Sequence, residues 1–320
     1  MDAVDFAIYR HLSRDGLSRF WASRRVVDPR VSVREIAEAV GRSEAGVRGR
    51  MRALRDSGLL GATEVTLNPS LFGASTLVAE IPVESPLESE EVFRDLAVAD
   101  GVVFARDVLD EQDRKVQVYV ASEGSAAATR RAALLRRLNP GRAVRGPSPY
   151  WIPGCAREPT ELDWRLLAAC RRLPDATVAR LASECRVSVK TAARRFDLLV
   201  DARACWWSAA PEVTEWPFAL LRLTLEANAD AVGIASQAAA RCDSWLPIAA
   251  DGLGNDPRSA PSSVAGLVPA SAPAALEHTV RKVLEIDGVA DVRRTFGLRS
   301  ASFPGWSDAL LARRLPARSR

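Results

Sequence analysis

Histidine and lysine are nearly missing from this 320-residue chain: His11 and His278 are its only histidines, and Lys115, Lys190 and Lys282 its only lysines. Cysteine is sparse as well. Cys155, Cys170, Cys185, Cys205 and Cys242 stand far apart and form no C-x-x-C pair. That spacing argues against a zinc cage or a disulfide framework and for reduced, buried thiols of a cytosolic protein. No apolar stretch is long enough to span a membrane, and the opening "MDAVDFAIYRHL" carries early acids instead of a leader's apolar run. No nucleophile elbow, phosphate loop or metal cluster is present. The two histidines, one near each end of the chain, read as ordinary surface or half-buried residues. These absences predict a cytoplasmic protein that is not an enzyme, holds no cofactor or metal and has no membrane partner.

What is present is arginine. Hydrophobic residues make up 48% and charged residues 26%, ordinary for a globular protein. The net charge is +4, a mild excess that permits a nucleic-acid partner without demanding one. A GC-rich genome also enriches arginine and alanine, so position must carry the functional reading. The length suits two to four small domains.

The first segments describe three helices. In "DAVDFAIYRHL", Asp2 and Asp5 suit a helix start, and Phe6, Ile8, Tyr9 and Leu12 give an apolar side. In "VSVREIAEAVG", Ser32 and Glu35 have capping-box spacing, Ile36, Ala37 and Val40 face inward, and Gly41 ends the helix. Ser43 then caps a third helix with Val47, Met51 and Leu54 on one buried stripe, closed by Gly58. Two short helices joined by a glycine turn form a helix-turn-helix. "LLGATEVTLNPSLFG" follows as an exit strand and turn. Beyond it the pattern reads strand, helix, strand, strand, helix, strand up to "GRAVRGPSPYW", an α+β sheet with helices on one face.

Prolines and glycines crowd residues 139–160, the clearest boundary in the chain. The pattern then restarts. "ATVARLASECRVSVKTAARRFDLL" matches the first helix-turn-helix at an offset of 145: Val33 with Val178, Ala37 with Ala182, Ser43 with Ser188, Arg50 with Arg195, Leu54 with Leu199 and Asp56 with Asp201. Recurring cap and core positions are what a repeat keeps. A second βαββαβ order follows, ending in the strand "GVADVRRTFGL", with a flexible "GLGNDPRSAPS" between its middle strands. The end, "RRLPARSR", reads as a basic frayed tail.

The pattern of Asp5, Ile8, Leu12, Glu35-Ile36-Ala37, Val40-Gly41, Ser43, Val47, Arg50, Leu54 and Gly58 resembles the Lrp/AsnC transcription regulators. The resemblance implies a winged helix-turn-helix followed by a ferredoxin-like βαββαβ effector and oligomerisation domain, often called RAM, here in two tandem copies. The expected domains are 1–66 and 154–210 (helix-turn-helix), 67–153 and 211–304 (RAM-like), and 305–320 (tail). Three departures stand out. The link "SRDGLSRFWASRRVVDPR" is long for the family. The places of its T-G-x-x-D-like effector turn read "DVLDEQDRK" and "ADGLGNDPR". Arg186 and Arg203 replace the glycines seen at 41 and 58, which removes two easy left-handed positions.

This reading predicts a sequence-specific transcriptional regulator of double-stranded DNA. Its helix at about 43–57 would enter the major groove, with Ser43, Glu44 and Ala45 at the end that reaches base edges. Arg48, Arg52 and Arg55, at i, i+4 and i+7, form a cationic stripe beside the buried one, and Arg50 completes the set. Ser188, Lys190, Thr191, Arg194 and Arg195 are the second copy's candidates, against the alternative that this head, ending in "VDARACWW", only packs against protein. The insert "RFWASRRVVDPR" reads as a docking loop, with a backbone-clamping arm as its alternative. The family implies self-association through the sheets, as a homodimer or as a pseudo-dimer within the chain, and leaves room for an effector such as an amino acid or other small metabolite. The alternatives are an enzyme resembling siroheme decarboxylases, which share the architecture, or a partner subunit that does not bind DNA.

Overall fold

A computed structural model describes residues 3–12, 33–60, 64–150, 154–173, 176–208, 218–242, 246–251, 263–269 and 273–315. The insert at 19–30, the loop at 252–262, Ser32 of the expected capping box and the last five residues lie outside them.

The first head consists of α1 (Ala3–Leu12), α2 (Val33–Val40) and α3 (Glu44–Asp56). Phe6, Ile8, Ile36, Ala37, Val47 and Leu54 meet in its core, the inward positions that the 3.6-residue period selects. Gly41 takes φ 63°, so the chain turns left-handed and Arg42 N donates back to Ala37 O at 2.9 Å, a glycine-terminated helix end. Ser43 Oγ then accepts from Gly46 N at 3.2 Å and starts α3.

The second head repeats these devices in α6 (Glu161–Arg172), α7 (Val178–Glu184) and α8 (Val189–Asp201). Thr160 and Asp163 form a complete capping box, and Thr177 and Ser188 cap the next two helices. Trp164, Leu166, Leu181, Ala182, Phe196 and Leu199 make its core. The two glycine replacements do not change the path of the chain: Arg186 (φ 55°) and Arg203 (φ 59°) hold the same left-handed turns as Gly41 and Gly58 (φ 71°). A Cβ there is strained, at roughly 1 kcal/mol each, and the packed helices on either side hold it in place.

The two heads are joined. β1 (Glu64–Leu67), which leaves the first head, pairs antiparallel with β6 (Cys205–Ser208), which leaves the second, from Glu64 opposite Ser208 to Leu67 opposite Cys205. The buried Asn68 locks the pair: its N donates to Ala204 O at 2.9 Å and its Nδ2 to Arg203 O at 2.7 Å. Val65 and Leu67 therefore lie in the second head's core. The expected boundary at residue 66 runs through this strand.

β2 (Ser75–Pro82), α4 (Pro86–Leu96), β3 (Val102–Asp110), β4 (Arg114–Ser122), α5 (Ser125–Leu138) and β5 (Arg145–Tyr150) follow the first head. β7 (Phe218–Leu225), α9 (Ala231–Arg241), β8 (Leu246–Asp251), β9 (Ser263–Pro269), α10 (Pro273–Leu284) and β10 (Val289–Ser302) follow the second. These strands join in one eight-stranded antiparallel sheet of order β5-β2-β4-β3-β10-β7-β9-β8. In each half the strands lie fourth, first, third, second. Ile81, Val92, Phe93, Leu96, Val118 and Leu135 fill the core under the first helices. Leu221, Leu223, Ile234, Ala238, Val280 and Val283 fill the second. Residues one step out of phase face the other way, and Leu220 and Ala265 pack into the first head's core.

The halves meet at β3 and β10. β10 runs 14 residues. Its start pairs with β7 and its end, Thr295 to Ser302, with β3. The sequence pattern ends this strand at Leu298 and so misses most of the joining stretch. The basic tail also needs correction. Residues Gly305–Arg314 form α11, with Trp306 edge-on to Phe72 at 5.6 Å and Leu311 in the second head's core. Arg171 of α6 grips Asp308 through Nε at 2.9 Å and Nη2 at 3.1 Å, and donates to Val65 O at 3.0 Å. Apolar positions in this segment outweigh its terminal charges.

Candidate nucleic-acid interface

α3 buries Val47 and Leu54 and leaves Ser43, Ala45, Arg48, Arg52 and Arg55 exposed, with Glu44 half-exposed. Arg48 Nη2 meets Glu44 Oε2 at 2.7 Å, both side chains largely in solvent. Such a pair contributes only about 0.3–0.5 kcal/mol, so it leaves Arg48 free to exchange partners. Gly49 lies on the same side, and a Cβ there would meet nothing within 4 Å; a partner's backbone can come close at that point.

Arg50 does not belong to this outward set. Its Nη1 meets Asp5 Oδ1 at 2.7 Å, and both groups are partly buried. It ties α3 to α1, because α3 turns that position toward the first helix. Arg195 behaves alike: its Nη1 stands 3.7 Å from Asp163 Oδ2. Asp163 is fully buried and also accepts from Arg157 Nη2 at 2.7 Å and Thr160 N at 2.8 Å. Arg195 follows Arg50 by 145 residues and Asp163 follows Asp5 by 158; the 13 extra residues are the longer first link. The same strut is thus built twice, and both arginines leave the set of outward candidates. The signal for it was the recurrence of an acid at one offset and an arginine at another.

The exposed faces differ. On α8, Ser188, Lys190, Thr191 and Arg194 are exposed, and Thr191 Oγ1 lies 2.8 Å from Ser188 Oγ. At the offset of 145, Arg48, Arg52 and Arg55 correspond to Ala193, Asp197 and Val200. Val200 is buried and Asp197 exposed. The exposed cations on α8 are Lys190 and Arg194, four apart at the places of Ala45 and Gly49, with Arg186 exposed in the turn before the helix. That ridge is turned about 100° round the helix from the one on α3.

The β3–β4 turn, where the family resemblance expects effector contacts, is filled by its own ions. Lys115 Nζ lies 2.6 Å from Asp110 Oδ2, 2.9 Å from Asp113 Oδ1 and 3.9 Å from Glu80 Oε2. Arg145 Nη1 adds a bond to Asp113 Oδ2 at 2.8 Å. Burial alone would push Lys115 down, but the bonds to Asp110 and Asp113 outweigh it and raise its pKa. Burial would likewise raise Asp110, and Lys115 with two backbone N–H groups lowers it on balance. Lys115 holds Asp113 down. The counterpart turn lies outside the described residues. His278 is exposed on α10, and no helix among the described residues is long and apolar enough to cross a membrane.

Residues 1–55 match the AsnC-type helix-turn-helix domain. No curated protein matches the chain. Among solved structures, the siroheme decarboxylase NirDL is 11% identical, with 97% of this chain and 98% of that one covered and a TM-score of 0.49. Its complex with an iron-uroporphyrin III analogue gives 11%, 96%, 97% and 0.46. The Mycobacterium tuberculosis leucine response regulatory protein LrpA is 20% identical, with 45% of this chain and 89% of that chain covered and a TM-score of 0.32. Similarity at these levels leaves the function open.

Proposed function

We propose that the chain is a non-enzymatic, sequence-specific regulator of transcription that reads double-stranded DNA with α3. The observation that carries this reading is the outward face of that helix. Within a matched AsnC-type helix-turn-helix, Ser43, Ala45, Arg48, Arg52 and Arg55 are exposed while the opposite side is core. Arginines so placed can fork onto guanine or clamp phosphates.

The finer architecture in this proposal is two tandem units, each a winged helix-turn-helix with a RAM-like βαββαβ domain. The repeated caps, the repeated Asp–Arg strut and the repeated strand order support it. The pseudo-dimer is then internal, closed by the β1–β6 and β3–β10 pairings, and its two unequal heads call for an imperfect palindrome. α8 is the weaker reader, because Asp197 stands where α3 has Arg52.

The test is binding to genomic DNA fragments across a salt series. Arg48→Ala with Arg52→Ala should weaken binding and flatten the log–log salt slope by about 0.9 for each phosphate no longer neutralised. Unchanged affinity and slope would sink the reading.

A further inference from the structure

We propose that the cleft between α5, the α4–β3 turn and α11 binds a small organic oxyanion, and that α11 carries its occupancy to the second head. The cleft holds about 600 Å³ and is lined by Arg130, Arg131, Arg313 and Trp306 among others. Three guanidinium groups face it against two carboxylates, Asp100 and Glu123, so it lacks one negative charge.

Arg131 is the key group. Its side chain is mostly buried, and Nη1 is fully buried with no hydrogen-bond partner among the described residues. Nη2 reaches Asp100 Oδ2 only at 3.4 Å, and that carboxylate is 78% exposed. The guanidinium rests on the bare backbone of Gly101, which is left-handed at φ 82°, and a Cβ there would collide with Arg131 Nε. The Trp306 ring lies 5.9 Å from Arg131 Cζ. A buried cationic donor without an acceptor is costly, and a small turn of Arg131 toward an oxyanion in the cleft would satisfy it with a charge-assisted bond. Ala127, Leu310 and Trp306 give the rest of such a molecule an apolar wall. An anion with an apolar body therefore fits better than a bare ion.

The wall that holds Trp306 and Arg313 is also the helix that leans on the second head. Asp308 takes Arg171 of α6 through both carboxylate oxygens, and Leu311 sits in that head's core. Occupancy should order α11 and, through Arg171, α6. That the second head uses this signal on DNA rests on the function proposed above; the binding itself does not.

The experiment is calorimetry on the full chain without DNA, using benzoate, phenyl phosphate, inorganic phosphate and the neutral benzyl alcohol, followed by hydrogen exchange. Saturable binding of benzoate or phenyl phosphate, with none of benzyl alcohol, supports the site, and the tighter of the two names the oxyanion. Arg131→Gln should weaken it tenfold or more, the exposed Arg313→Ala severalfold, and protection should rise in α11 and α6. Four results would overturn it: no anion binding at millimolar concentration, benzyl alcohol binding equally well, inorganic phosphate matching phenyl phosphate, or both variants binding as the parent does. Exchange unchanged on saturation would overturn the link to the second head.

Discussion

α3 and α8 are built by the same devices and face the solvent with different chemistry. Both start at a serine cap, Ser43 or Ser188, and both are pinned to the first helix of their head by an arginine–aspartate strut. The frame is kept where packing and backbone geometry constrain it. Outside the frame, α3 carries Arg48, Arg52 and Arg55, and α8 carries Ala193, Asp197 and Val200 at those places. Counting arginines gives four on α3 against two on α8; their placement separates the heads further.

The largest expected effect lies in the strut. Asp163 is fully buried and serves Arg157, Arg195 and the start of α6, whereas Asp5 is partly exposed and pairs with the more exposed Arg50. Asp163→Asn should cost about 3 kcal/mol, because it strips the acid from a buried network, and Asp5→Asn about 1 kcal/mol. Urea unfolding measures both, and equal losses would mean that the two struts are not graded by burial.

Next comes the caged turn of the first half, whose counterpart "ADGLGNDPR" has no lysine. Lys115→Met should cost about 2 kcal/mol by leaving Asp110 and Asp113 crowded. The pH dependence follows from the directions of the shifts. Asp110 and Asp113 lie below their ordinary values, so their contribution is present above about pH 3.9 and is lost as pH falls through the lowered values. Lys115 lies above its ordinary value, so its contribution is present below about pH 10.4 and is lost as pH rises through the raised one. Thermal melts across pH should show both limbs flatten in the methionine variant.

The smallest effect is in the turns. Arg203→Gly should stabilise the second head by roughly 1 kcal/mol, since φ 59° suits glycine. Gly58→Arg should destabilise the first by a similar amount. Melting temperatures that move the other way would mean the Arg203 side chain holds that turn by interactions that outweigh the strain.

Local chemistry was legible in the sequence. The caps at Ser43, Thr160 and Ser188, the inward stripe Val47 and Leu54, and the element order can be read from short windows. The long-range partners were not. Nothing near residues 64–67 announces a pairing with 205–208, so the place of β1 in the second head stayed hidden. Arg50 looked like one more arginine because its partner Asp5 lies across the long first link. Arg186 and Arg203 looked like lost turns, although the surrounding helices hold an arginine in a left-handed conformation. α11 was masked by the charges that follow it.

In the proposed function the first head reads DNA and the second adds less. That reading is tested most directly by selecting bound fragments from genomic DNA and measuring the selected site against two double variants. Arg52→Ala with Arg55→Ala should weaken binding about a hundredfold, at roughly 1–3 kcal/mol per arginine, and Lys190→Ala with Arg194→Ala about tenfold or less. Losses of equal size would contradict the ranking of the heads, and no loss in the first variant would contradict the DNA reading itself.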